Sequence, residues 1–145
     1  GGEGYCSQPI EGLAEDDLWA AMMDKTGSKI GEYLPVADVE VEDRGEYIWR
    51  SMLFAGEGPM KGKVMRQHIY ADKAAGEIRF VLEDADGEEQ ETEIVNALLR
   101  EPLRVEYFQR KRSSRERLRW TAPLARTVAA IDKTIAVARD AGRAG

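Results

Sequence analysis

From Val36 onward, apolar and polar positions trade places at every second residue. Ala37, Val39 and Val41 alternate with Asp38, Glu40 and Glu42, the period of a strand with one wet face. Continued along the chain, this reading predicts strands near 36–43, 47–55, 62–71, 77–83, 91–99 and 103–112, with a short first strand in 5–10. The segments between them carry turn chemistry: "DRGE" at 43–46, "GEGPMKG" at 56–62, "DKAAG" at 72–76, "DADGEE" at 84–89 and "REP" at 100–102. Five short connections in succession predict an antiparallel meander, because parallel strands need long crossovers.

Helical spacing governs both ends. Leu18 and Met22, with Trp19 beside them, follow Glu15, Asp16 and Asp17, acids that suit the first turn of a helix. Gly27 is the expected stop. "SKIGEYLP" predicts a second short helix, with Ser28 as cap and Pro35 as stop. Near the end, Leu124, Val128, Ile131, Ile135 and Ala138 advance by four, three, four and three. That spacing predicts a long helix with one apolar stripe buried against the sheet, Thr121 as cap, Pro123 in the first turn and Gly142 at the stop. Residues 113–120 read either as an extra helical turn or as irregular chain. The expected class is therefore α+β: a strand, two short helices, six antiparallel strands and a long helix. A strongly curved sheet wrapped on a single helix cannot close tightly at both ends, so a cavity between them is expected.

Composition narrows the function classes. A length of 145 residues suggests one domain, 1–145, with its packed part at about 5–142. The net charge of -6 argues against nucleic acid or an anionic membrane as the main partner. One basic run, "RKRSSRERLR" at 110–119, reads either as a solvated strand end or as a phosphate site. A single cysteine, Cys6, excludes an internal disulfide, and one histidine, His68, argues against a zinc site. No metal or cofactor is expected. No apolar run approaches the roughly 18 residues of a membrane span, and no signal peptide is visible. A soluble chain of the cytoplasm or an organelle is the expectation. The opening "GGEG" reads as a cloning remnant or as the cut edge of a longer precursor.

Candidate polar groups follow from strand register. With Arg44-Gly45 as a two-residue turn, Val41 faces Ile48, Val39 faces Arg50 and Ala37 faces Met52. Directly opposed residues share a face, so Arg50 joins Val39, Ile48, Met52 and Phe54 on the apolar, helix-facing side. The same exercise pairs Leu98 with Leu103, Asn96 with Val105 and Ile94 with Tyr107, which puts Asn96 and Tyr107 on that side too. Ile78, Phe80 and Leu82 form the buried face of the strand between. A buried guanidinium must be paired or wet. Arg50 is therefore either the polar anchor of a cavity ligand, beside Asn96 and Tyr107, or a side chain reaching the sheet edge to pair with an acid such as Glu106. His68 falls on the less apolar face of its strand and is expected to point outward. Pointing inward, it would be the one base titrating near neutrality. Trp49 and Trp120 are expected at the cavity rim, and Trp19 between the first helix and the sheet. No nucleophile–base pair, paired-acid site, phosphate loop or metal-ligand spacing stands out.

Three stretches carry a resemblance. "LAEDDLWAAMMDK", "EYLPVADVEVEDRGEYIWRSMLFAG" and "ARTVAAIDKTIAVARDAG" are similar to the opening helix, the helix-to-hairpin segment and the closing helix of the START-like, or SRPBCC, superfamily. This is the helix-grip fold of the birch-pollen allergen, steroid carriers and polyketide cyclases. The spacing most resembles the AtaL-like group. The resemblance covers about residues 5–142 and rests on order and spacing. It implies a hydrophobic pocket for an apolar or aromatic small molecule, lipids included; register and helix spacing make Arg50, Asn96, Tyr107, Met52, Phe54, Phe80, Val128 and Ile131 its expected lining. It does not imply a reaction. The leading expectation is a binder or carrier. A cyclase or dehydratase using Arg50, Tyr107 and His68 is the alternative. An interaction module, its cavity filled by Phe54, Phe80 and Phe108, is the third.

Overall fold

A computed structural model describes residues 4–144 of the chain; most of the "GGEG" opening lies outside the described residues. Eight antiparallel strands form one sheet: β1 (Tyr5–Cys6), β2 (Val36–Asp43), β3 (Ile48–Phe54), β4 (Val64–Asp72), β5 (Glu77–Glu83), β6 (Glu89–Leu99), β7 (Arg104–Lys111) and β8 (Arg117–Leu118). The spatial order is β1-β7-β6-β5-β4-β3-β2, with β8 also paired to β7. Helix α1 (Glu15–Asp24), a 3₁₀ helix (Ser28–Glu32) and helix α2 (Leu124–Ala144) complete the fold. The expected α+β class, the meander and the C-terminal helix are present. Residues 113–120 form a turn and β8 rather than a helical turn. The first short strand ends at Cys6, α1 ends at Asp24 and α2 runs through Gly142. No helix among the described residues is long and apolar enough to cross a membrane.

Both predicted registers are off by two residues in the same direction. Val41, not Val39, faces Arg50. Leu98 faces Val105 and Asn96 faces Tyr107, in place of Leu103 and Val105. The cause is loop length: Arg44–Tyr47 and Arg100–Leu103 are four-residue connections, not two-residue turns. A slip of two preserves the alternation of faces, so every inward assignment on β3, β6 and β7 survives. On β2 a bulge intervenes between Ala37 and Glu40, where Asp38 has a φ of 51°. Past it Ala37 faces Leu53 rather than Met52.

The inner face packs Ile69, Ile78, Phe80, Leu98, Val105 and Tyr107 against Leu18, Trp19 and Met22 of α1 and Ala130, Ile131 and Ala138 of α2. Trp19 takes its expected place between helix and sheet. The stripe of α2 differs from the predicted one. Leu124 is exposed, and Val128 and Ile135 are half-buried, while Thr127 and Thr134 are buried beside Ala130, Ile131 and Ala138. Each threonine hides its hydroxyl by donating to a carbonyl four residues back, Pro123 at 3.1 Å and Ala130 at 2.8 Å. A threonine satisfied in this way packs like valine, and an apolar count overlooks it.

Candidate functional site

A cavity of about 160 Å³ lies on the inner face, between the sheet, the 3₁₀ helix and the start of α2. Strands β3 to β7 contribute Arg50, Met52, Gln67, Phe80, Ile94, Asn96 and Tyr107. The other wall is Lys25, Ile30, Tyr33 and Leu34, closed by Trp120, Ala122, Arg126, Thr127 and Ala130. Of the predicted site residues, Arg50, Asn96, Tyr107, Met52 and Phe80 come together here. Phe54 is buried but lies outside the lining, with the Arg126 guanidinium 5.2 Å above its ring. Val128 and Ile131 also fall outside it: Val128 is turned partly to solvent, and Ile131 is fully buried in the core between α2 and the sheet.

Arg50 points inward and is 1% exposed. Its Nε and Nη2 donate to Gln67 Oε1 at 3.3 and 2.9 Å. Its Nη1 donates to the backbone carbonyls of Lys25 and of Gly27, the latter at 3.3 Å. Those bonds occupy four of the five guanidinium N–H groups. Arg50 therefore clamps the end of α1 to the sheet and leaves a single N–H uncommitted. Burial pulls its pKa down to about 10, so it stays cationic at neutrality. The alternative partner, Glu106, stands on the opposite face and binds Arg117 at 2.9 Å.

The residue that Arg50 clamps is the one sequence reasoning missed. Lys25 follows the last turn of α1 and is 3% exposed. Its Nζ is buried without a hydrogen-bond partner among the described residues, 4.3 Å above the centre of the Tyr107 ring. The Tyr107 hydroxyl is buried and unpartnered in the same way. Burial first, and the nearby Arg50 charge second, lower the lysine from its ordinary 10.5 to about 7. Among the described residues lining the cavity, three carry basic side chains, Lys25, Arg50 and Arg126, and none carries a carboxylate. A signal for Lys25 existed: Leu18, Met22 and Lys25 are spaced by four and three, so the lysine extends the buried stripe of α1.

His68 points outward, as expected, yet it is only 7% exposed. Its Nε2 meets Glu83 Oε2 at 2.7 Å and its Nδ1 meets Glu89 Oε2 at 2.9 Å. Its ring stacks on Tyr47 with centroids 4.2 Å apart. Trp49 is also on this outer face rather than at the cavity rim; its Nε1 donates to Glu83 at 3.0 Å. Phe108 lies there as well, packed with Val95 and Ala97, and so does not fill the cavity. The basic run from Arg110 is a set of partners for acids on neighbouring strands: Arg110 with Glu93 and Glu77, Arg112 with Glu89, and Arg117 with Glu106. Among the described residues, no cluster of three or more His, Cys, Asp or Glu side chains is placed to hold a metal ion. No family model matches the chain, and no curated protein is significantly similar to it.

Proposed function

We propose that the chain is a START-like, helix-grip domain that binds a small aromatic molecule bearing a carboxylate or carbonyl group. The order of its elements, with the sheet closed by a long C-terminal helix over a cavity, supports the fold assignment. One observation carries the ligand assignment: a largely apolar cavity holds Lys25, Arg50 and Arg126 with no acid among its lining residues. Basic groups withdrawn from bulk water with no opposite charge beside them favour an occupant that supplies negative charge or a strong acceptor. Size sets the rest. Cavities of about 150 Å³ take up a single benzene ring, and this one measures about 160 Å³. A one-ring acid or carbonyl compound fits that volume; a sterol does not. With Arg50 committed to the Gln67 side chain and to the Lys25 and Gly27 carbonyls, Lys25 and Tyr107 are the free polar groups for the ligand, and Asn96 adds a donor and an acceptor. His68 stands on the far side of the sheet and has no part in this site.

Calorimetric titration with benzoate and with toluene tests the reading. Benzoate is expected to bind roughly tenfold or more tightly, the scale of one charged hydrogen bond. Equal affinities, or no binding of either, would overturn it. Native mass spectrometry of freshly purified protein is expected to show a small acid or carbonyl compound carried along.

A further inference from the structure

Lys25 differs in kind from the other lysines. The remaining six, Lys29, Lys61, Lys63, Lys73, Lys111 and Lys133, are all exposed. Lys25 alone is buried; it lines the cavity, and its Nζ lies over the Tyr107 ring with no hydrogen-bond partner among the described residues. The charged and titratable groups that share the cavity lining with it are Arg50 from β3, Arg126 from α2, Tyr33 beyond the 3₁₀ helix and Tyr107 from β7, while the acids Asp24 and Glu32, whose charges reach Tyr33, lie outside that lining. No lining group offers a negative charge at neutrality, so nothing on the cavity wall holds the amine in its ammonium form. Arg50 fixes the Lys25 backbone through its carbonyl, which limits the positions the amine can take. Such a lysine is a nucleophile rather than a point charge.

We infer that Lys25 captures the carbonyl carbon of a small aromatic aldehyde or ketone as an imine. This rests on the cavity being a one-ring ligand site, as proposed above. In the step, the Nζ lone pair forms the C–N bond as the carbonyl π pair moves to oxygen. The oxygen takes up a proton and the nitrogen loses one, giving a carbinolamine. The C–O bond then breaks, water leaves and the C=N bond forms. The Tyr107 hydroxyl, on the facing strand wall and unpartnered among the described residues, would serve the carbonyl oxygen, and no oxidant or reductant is needed. With its pKa near 7, about half of Lys25 is neutral at pH 7, against roughly one in three thousand for an exposed lysine. A less basic amine is intrinsically slower, which offsets part of that gain.

The test treats the full chain with benzaldehyde and cyanoborohydride at pH 7, followed by intact-mass measurement and peptide mapping. Besides the α-amino terminus, which also reacts near neutrality, a benzyl adduct on Lys25 is expected, forming about fiftyfold faster than on the exposed lysines. Its rate should rise with pH through about 7, and benzoate should compete. Lys25→Met should abolish the adduct. Lys25→Arg should abolish it too while keeping benzoate bound, which separates imine chemistry from simple charge attraction. Adducts spread over exposed lysines, or none on Lys25 while benzoate still binds, would overturn the inference and leave the binding site standing. Loss of both aldehyde trapping and benzoate binding would bring down the two together.

Discussion

The two faces of the sheet treat charge in opposite ways. On the outer face the most buried charged groups, Glu93, Arg110 and His68, all have counterparts, although the Nε atoms of Arg104 and Arg112 are buried without a hydrogen-bond partner among the described residues. Glu93, 2% exposed, is held between Arg110 at 2.7 Å and Arg79 at 2.7 Å, and Arg110 reaches on to Glu77 at 3.0 Å. Burial alone would weaken the Arg110 charge, but its hydrogen bonds to Glu77 and Glu93 outweigh that and raise its pKa. Glu89 gathers His68, Tyr70 and Arg112; burial opposes its charge, and these partners together hold its carboxyl below the usual value. On the inner face Arg50 spends its hydrogen bonds on neutral acceptors and Lys25 has none. A closed network is finished within the chain, whereas an unbalanced one asks for something from outside. The imbalance therefore locates the site better than the abundance of charge, which is greater on the other face.

The largest effect should come from opening the outer network. Glu93→Gln removes the charge shared by two guanidinium groups and is expected to destabilise by about 3–5 kcal/mol, the cost of leaving a buried ion without its partner. Urea denaturation measures it. A loss under about 1 kcal/mol would mean that solvent, not Glu93, satisfies those arginines, and the contrast between the faces would collapse.

The inner face should respond with the opposite sign. Lys25→Met removes a cation that the fold has desolvated, and is expected to stabilise the protein at pH 7 by an amount on the order of 2–4 kcal/mol. The sign follows from linkage. The unfolded lysine titrates at 10.5 and the folded one at about 7. Below pH 7 both states hold the proton and the penalty is full. Above 7 the folded state sheds it first, the unfolded state binds more protons, and stability rises. Denaturation midpoints of the wild type should therefore climb from pH 7 to about 9, and those of Lys25→Met should stay flat. Above that range Tyr70, pushed up to about 12 first by burial and then by Glu89, contributes the opposite slope, because the unfolded tyrosine ionises first.

Much of this organisation was legible in the sequence, and the misses have physical causes. Period-two alternation placed Arg50, Asn96 and Tyr107 on the inner face although both registers were wrong, because parity survives a two-residue slip and loop length does not show in the alternation. The α2 stripe was misjudged because Thr127 and Thr134 satisfy their hydroxyls within their own helix. Lys25 was overlooked because a lysine after the last turn of a helix ordinarily complements the helix dipole in solvent. The outer network was illegible for another reason. Pairing Arg110 with Glu77 joins residues 33 apart across two strand boundaries, and only the correct register brings them together.

Arg50 links the two problems and should show an intermediate effect. Arg50→Met leaves the Lys25 and Gly27 carbonyls without their donor, which is expected to cost about 1–3 kcal/mol. It also removes the like charge beside Lys25. The lysine pKa should then rise above about 7, and the pH profile of aldehyde trapping should move upward with it. A profile that stays in place would show that burial alone sets the amine.

The smallest effect comes from making one substitution on both faces. Tyr70→Phe on the outer face removes a hydroxyl that donates to the Glu89 carboxylate. A hydrogen bond to a charged group is worth about 1.5–3 kcal/mol, and partial exposure of Tyr70 puts the expected loss at the lower end. The Glu89 carboxyl should also rise toward its ordinary value, so the stability that it lends above that value would fade at a higher pH as the solution is acidified. Tyr107→Phe on the inner face removes a buried hydroxyl that bonds to nothing among the described residues. Its stability change should lie within about 0.5 kcal/mol of zero, or favour the variant, because an unsatisfied polar atom is replaced by none. Its consequence should appear in binding instead: benzaldehyde trapping slows, whereas toluene uptake is unchanged. Equal destabilisation by the two variants would show that Tyr107 has a partner inside the chain, and that the inner face is as self-contained as the outer one.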